Sequence, residues 1–200
     1  MISIKYECFF LHIPKTAGTS IASAFGFGKV HRSYEDLRKH AQWGKWHSFA
    51  VVRNPWERLL SAYSYLKRRH ERPYVPGMSF GCFLRLGYES YNPGLYDGED
   101  KTQFWWATQS DWLVRDNEVV VKQIIRFDNL HEEFAKMSKR FNLNLILPHV
   151  NSSDHVHYRH YYNREDLEIV RKWFAEDIDR FGFGYEKPLT RISRSAAIFA

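Results

Sequence analysis

The sequence predicts an α/β domain with a central, mostly parallel sheet flanked by helices, and three observations carry that prediction. Bounded apolar runs at Cys8–Ile13, His47–Val52 and Val119–Phe127 read as buried strands. Segments with apolar residues at helical spacing stand between and after those runs. Strands alternating with helices are the pattern of parallel strands joined by crossovers, which leaves helices on both sheet faces. The 200 residues suit one domain spanning 1–200, long enough to bury a core without outside help.

The elements follow in order. Pro14 cannot donate to a sheet ladder, so the first strand ends before it. Gly18 permits a tight bend, and Thr19 or Ser20 is the expected N-cap of a helix running to Phe25. Ser33 caps a short helix to Lys39. After the second strand, Asn54-Pro55 breaks the chain and places proline at the first turn of a helix. Leu59, Tyr63 and Leu66 form that helix's apolar stripe, and the basic run Lys67–Arg72 suits its negative dipole end. Residues 73–103 are rich in Pro, Gly, Asn and Asp, with Phe80–Leu86 alone helical, and read as a functional loop. Asp128-Asn129 turns the third strand into a helix faced by Leu130, Phe134, Met137 and Phe141. A last helix runs from Arg164 to Arg180, capped by Asn163, with Leu167, Val170, Phe174, Ile178 and Phe181 inward.

An apolar fraction of 44%, with 15 Phe, 12 Tyr and 7 Trp, excludes a disordered chain. Cys8 and Cys82 make no disulfide framework and are expected as buried thiols of a reducing compartment. The sequence shows no signal-peptide pattern and no apolar run of membrane-spanning length, so the expectation is a cytoplasmic protein; a Golgi lumen location requires a trimmed chain. The net charge of +6 favours anionic ligands. Its spread along the chain speaks for a small anion or an acidic glycan over nucleic acid.

The chemistry gathers at residues 14–20, PKTAGTS. A helix that starts directly after a strand aims its unpaired N–H groups and positive dipole end at one point. Hydroxyls of Thr16, Thr19 and Ser20 and the charge of Lys15 join them, with Ala17 and Gly18 between, which makes a cradle for a phosphate-like group. A nucleoside triphosphate enzyme would want G-x-x-x-x-G-K-[ST]; here the lysine comes first and no glycine leads the loop. Arg53, just past the second strand, and Ser61, two turns into the next helix, offer a guanidinium fork and a hydroxyl for a second anion. In such sheets ligands bind beyond the carboxyl ends of the strands, so both sites should open on one crevice.

PKTAGTS after a first strand and RNPWERLLSAY (53–63) after a later one resemble the sulfotransferases, most of all the carbohydrate group with heparan sulfate 2-O-sulfotransferase and the chondroitin sulfotransferases. FDNL (127–130), LPHVNSS (147–153) and the DIDRFGFGYE segment are more loosely similar. The resemblance implies a three-layer, P-loop-like domain that moves the sulfuryl group of 3′-phosphoadenosine-5′-phosphosulfate (PAPS) onto a hydroxyl, here of a carbohydrate. It implies that Lys15, Thr16, Ala17, Gly18, Thr19 and Ser20 wrap the 5′ end of the donor, while Arg53 and Ser61 hold its 3′-phosphate. HRSYEDL (31–37) resembles the stretch that carries the catalytic histidine of the 2-O-enzyme, which points to His31 as base beside Lys15 as electrostatic catalyst. His47 and His12 are the next candidates, followed by His40. A sulfuryl group carries less charge than a phosphoryl group, so no metal is expected.

His155, His157 and His160 lack a cysteine or carboxylate at ligand spacing and read as a loop; the resemblance implies that part of 151–162 folds over the adenine or the acceptor. Trp105, Trp106 and Trp112 read as core, with a stacking platform for sugar rings or an aromatic acceptor as the other reading. Two other classes stay open on the residues alone: a P-loop small-molecule kinase, and a non-catalytic nucleotide or polyanion-binding module.

Overall fold

The structure, a computed structural model, describes residues 1–27, 31–95, 101–148 and 158–185. Its elements are β1 (Ile2–Ser3), β2 (Cys8–Leu11), α1 (Gly18–Phe25), α2 (Tyr34–Leu37), β3 (His47–Val52), α3 (Pro55–Arg69), α4 (Phe80–Ser90), α5 (Lys101–Trp106), α6 (Gln109–Leu113), β4 (Val114–Arg115), β5 (Glu118–Val119), β6 (Gln123–Arg126), α7 (Leu130–Arg140), α8 (Arg164–Trp173) and α9 (Ala175–Phe181). The chain divides into two units, Met1–Arg53 with Asp111–Asp154, and Asn54–Ser110 with His155–Ala200.

The first unit holds the sheet, ordered β1-β2-β3-β6 among the described residues. β2, β3 and β6 are parallel, with Leu11 opposite Ala50 and Val52 opposite Arg126, and β1 adds an antiparallel edge. The sheet is therefore mixed. Cys8, Phe10, Phe49, Val51 and Ile125 face a core closed by Ile21, Ala22 and Phe25 of α1 and Leu130, Phe134 and Met137 of α7. Phe10 and Phe49, register partners, stack at 5.0 Å. Phe9, on the other face, packs against Trp43 and Trp46 at 5.0 and 5.7 Å. Burial on both faces explains why these strands read as continuous apolar runs.

In the second unit, Leu59, Tyr63 and Leu66 of α3 meet Phe80, Phe83 and Leu84 of α4, Trp106, and Val170 and Phe174 of the C-terminal helices. Asp177 is fully buried, and its carboxylate accepts from both the N–H and the side chain of Gln109 and of Ser110. Those groups stand at the start of α6, where a carboxylate satisfies orphan N–H donors and favours the dipole.

Several expectations change. The apolar run 119–127 is not one strand: Val119 ends β5, residues 120–122 bend, and β6 begins at Gln123. The helix expected over 164–180 breaks at Phe174, whose φ of −103° and ψ of 26° leave the helical region. Cys8 is buried but Cys82 is exposed, because its helix turns its opposite face, Phe80, Phe83 and Leu84, to the core. Trp106 and Trp112 are core residues while Trp105 is half-buried beside Tyr65, 5.4 Å between rings. Phe141, expected on the inward stripe of α7, lies 36% exposed just past its end, against His47.

Candidate active site

The loop between β2 and α1 is shaped by two residues in an uncommon conformation. Lys15 and Ala17 have φ of 68° and 66°, left-handed backbone that costs a non-glycine residue about 1–3 kcal/mol and clusters where function needs it. Left- and right-handed residues in succession turn N–H groups toward one concavity, which suits an anion. Ala17 is the N-cap, and no side chain caps α1; the first bond back into the helix runs from Ile21 N–H to the Ala17 carbonyl at 3.1 Å. The expected caps, Thr19 and Ser20, are already helical residues, because the bend at Ala17 starts the helix two residues earlier.

Each loop residue has its place. Lys15 and Ala17 are half-buried, Thr19 is exposed, and Thr16, Gly18 and Ser20 are buried. Thr16 turns its hydroxyl inward to donate to the Ile13 carbonyl at 2.9 Å, so its side chain braces the loop. The tight bend expected at Gly18 lies instead at Ala17, whose φ is 66°. Gly18 is needed for space: a Cβ there would stand 1.6 Å from His12 Nε2.

Arg53 follows β3 and reaches this loop. Its Nη1 donates to the Lys15 carbonyl at 3.3 Å, and its guanidinium carbon sits 4.1 Å from the ring centre of Phe127. The register explains the meeting, since Leu11 pairs with Ala50 and both chains then leave the sheet together. Phe127 was not singled out as a site residue; its one signal in the sequence was the FDNL segment. Arg126, at the end of β6, is a different kind of arginine: it is buried and pairs with Asp128 at 2.9 Å. Ser61 lies half-buried on α3, in the second unit.

The histidines separate by position. His47 opens β3 and His40 packs against Phe9, both far along the strands from the carboxyl ends that carry Lys15 and Arg53. Burial, then Lys122 and Arg140, lower the His47 pKa to about 4. His12 and His31 lie at the carboxyl end, their rings stacked 3.9 Å apart. His12 is 8% exposed, and burial first, with His31 next, holds it well below the usual 6.5. His31 keeps an exposed edge; partial burial lowers its pKa from 6.5 against the raising effect of its bond to the His12 backbone. That bond, Nδ1 to carbonyl at 3.3 Å, needs a proton on Nδ1 and leaves the lone pair on Nε2. His160 is exposed, and His155 and His157 lie outside the described residues.

The sequence profile of the Sulfotransferase family matches residues 1–184. The chain belongs to the sulfotransferase family. It is an enzyme that transfers a sulfuryl group from PAPS. Among solved structures, the mouse sulfotransferase SULT7A1 crystallised with PAP matches with a TM-score of 0.50 at 14% identity, over 88% of this chain and 86% of that one. That likeness shows a shared α/β fold, in line with the fold class read from the sequence. No curated protein matches the chain. Among the described residues of this sulfotransferase, no helix is long and apolar enough to cross a membrane, and no three His, Cys, Asp or Glu residues gather as metal ligands.

Proposed function

We propose that this sulfotransferase binds the 5′ end of PAPS on the loop Lys15–Ser20 and its 3′-phosphate on Arg53, and sulfates a carbohydrate hydroxyl with His31 as base. The observation that supports the donor site is the bond from Arg53 to the Lys15 backbone, which joins the two motifs at the ends of neighbouring strands. The residues present fit the donor's charges. An uncapped helix start and left-handed loop suit the 5′ end, and a guanidinium seated on Phe127 suits a terminal phosphate. Ser61 keeps its role in 3′-phosphate binding from the motif 53–63 alone.

When bound, the donor supplies the sulfuryl group and a phosphate oxygen on which charge grows as the bond to sulfur breaks. Lys15 and the first N–H groups of α1 hold that charge, and one preorganised donor of this kind is worth about 3 kcal/mol. Thr16 keeps the loop in that shape through its bond to Ile13. His31 Nε2 accepts the acceptor's proton, while Nδ1–H stays on the His12 carbonyl. In-line transfer of this type depends on positioning and charge stabilisation more than on covalent help from the protein.

The test has two steps. Adenosine 3′,5′-bisphosphate without Mg²⁺ should raise the melting temperature well above the effect of ATP with Mg²⁺; the reverse order would support a kinase and sink the donor assignment. Labelled PAPS is then offered with desulfated glycosaminoglycan oligosaccharides, a tyrosine peptide and a simple phenol. Label on the peptide or phenol alone would overturn the carbohydrate acceptor.

A further inference from the structure

His12 lies inside the site without a part in the chemistry, and its surroundings say what it is for. Its ring is buried between Phe10, 5.4 Å away, and His31, 3.9 Å away, and its Nε2 fills the notch left by Gly18. Its Nδ1 is buried with no hydrogen-bond partner among the described residues. The ring is therefore held by its faces and shape. Its backbone carbonyl, the one polar group it gives to His31, faces His31 Nδ1 at 3.3 Å.

From this we infer that His12 is the positioning residue of His31: its carbonyl fixes the tautomer, and its ring, seated against the first residue of α1, gives the imidazole a face to stack on. The inference rests on the reading of His31 as base. The arrangement parallels hydrolytic triads, in which an acceptor on Nδ1–H orients the histidine and leaves Nε2 to work. Here a backbone carbonyl does this, while the stacked ring of His12 keeps water from one face of the imidazole. Burial keeps His12 neutral, so it does not repel the charge formed when His31 Nε2 takes a proton. The other titratable groups acting on the pair are Lys15 and the Met1 amino group, whose pKa burial, then Arg32, lowers to about 5. The same burial bars His12 from meeting an acceptor.

Histidine-ring NMR of the enzyme saturated with adenosine 3′,5′-bisphosphate tests this without an acceptor. His31 should show the Nδ1–H tautomer. In His12→Ala, water reaches His31 and its pKa should move up by about half a pH unit or more, because burial is the main cause of its depression. His12→Phe keeps the face and should keep the His31 pKa near its parent value, while His12→Asn keeps polarity without a ring and should behave like His12→Ala. An Nε2–H tautomer, or equal His31 pKa values in the Phe and Asn variants, overturns the positioning role. Should the alanine variant fail to fold, the Phe and Asn pair decides. Turnover of His31→Ala is the separate check: within a few-fold of parent, it removes the base and this role together. If His31→Ala loses turnover but the NMR outcomes fail, only the role of His12 falls.

Discussion

Lys15 and Arg53 carry opposite halves of the account at the scale of single residues. In the proposed site Lys15 acts on charge that develops during transfer, so Lys15→Ala should lower kcat by about 10²–10³-fold, as removal of one preorganised donor does. Its effect on bisphosphate affinity, read by calorimetry, should be much smaller; equal losses would mean that Lys15 only binds. Arg53, in the proposed site, acts on the ground state, and Phe127 lies under its guanidinium at 4.1 Å. Phe127→Ala should weaken bisphosphate binding with kcat nearly unchanged, by roughly 0.5–2 kcal/mol for the lost stacking. An unchanged dissociation constant would leave Phe127 as packing alone. His31 must be neutral to accept a proton, and its pKa lies below 6.5. kcat/KM should therefore hold as pH falls to about that value and drop only on the acid side; an acid limb centred well above 6.5 would point to another base.

The elements show which parts of this were legible in the sequence. Local chemistry carried well: β3 covers His47–Val52 as read, Ser33 and Asn163 cap α2 and α8 with their side chains, and the Asn54-Pro55 break opens α3, with Asn54 as its side-chain cap. Those signals sit in the residues that act on them. β1 was missed because two residues show no period. The β4–β5 hairpin was missed although Asp116 and Asn117, at φ of 49° and 64°, are suited to the tight turn that joins it. The loop 12–18 was legible in composition but not in mechanism. Nothing in PKTAGTS says that Lys15 and Ala17 take left-handed backbone, or that Gly18 makes room for the imidazole of His12. Gly18→Ala follows from that contact: the methyl must displace the His12 ring, and overpacking of this kind costs about 1–3 kcal/mol. A thermal melt unchanged from the parent would show that His12 has room to move.

Over the whole molecule, protonation is a test of how the first unit is held. His12, His31 and His47 all have folded pKa values below 6.5. An unfolded chain binds protons on them below that value while the native state does not, so stability should fall as pH drops through 6.5. For His47 the loss levels off below its folded pKa of about 4. His47→Phe should make the melting temperature fall less between those limits, while His12 and His31 keep the rest of the dependence; a melting curve as pH-dependent as the parent's would assign the loss elsewhere. The site as a whole makes a sharper demand, that one bisphosphate be gripped at both ends. The direct measurement is calorimetry of adenosine 3′,5′-bisphosphate against adenosine 5′-monophosphate on the parent and on Arg53→Ala. The parent should prefer the bisphosphate by about tenfold or more, the worth of a charged hydrogen-bonded contact, and Arg53→Ala should lose most of that preference. A variant that kept the full preference would contradict the account, because the 3′-phosphate would then be held by something other than Arg53.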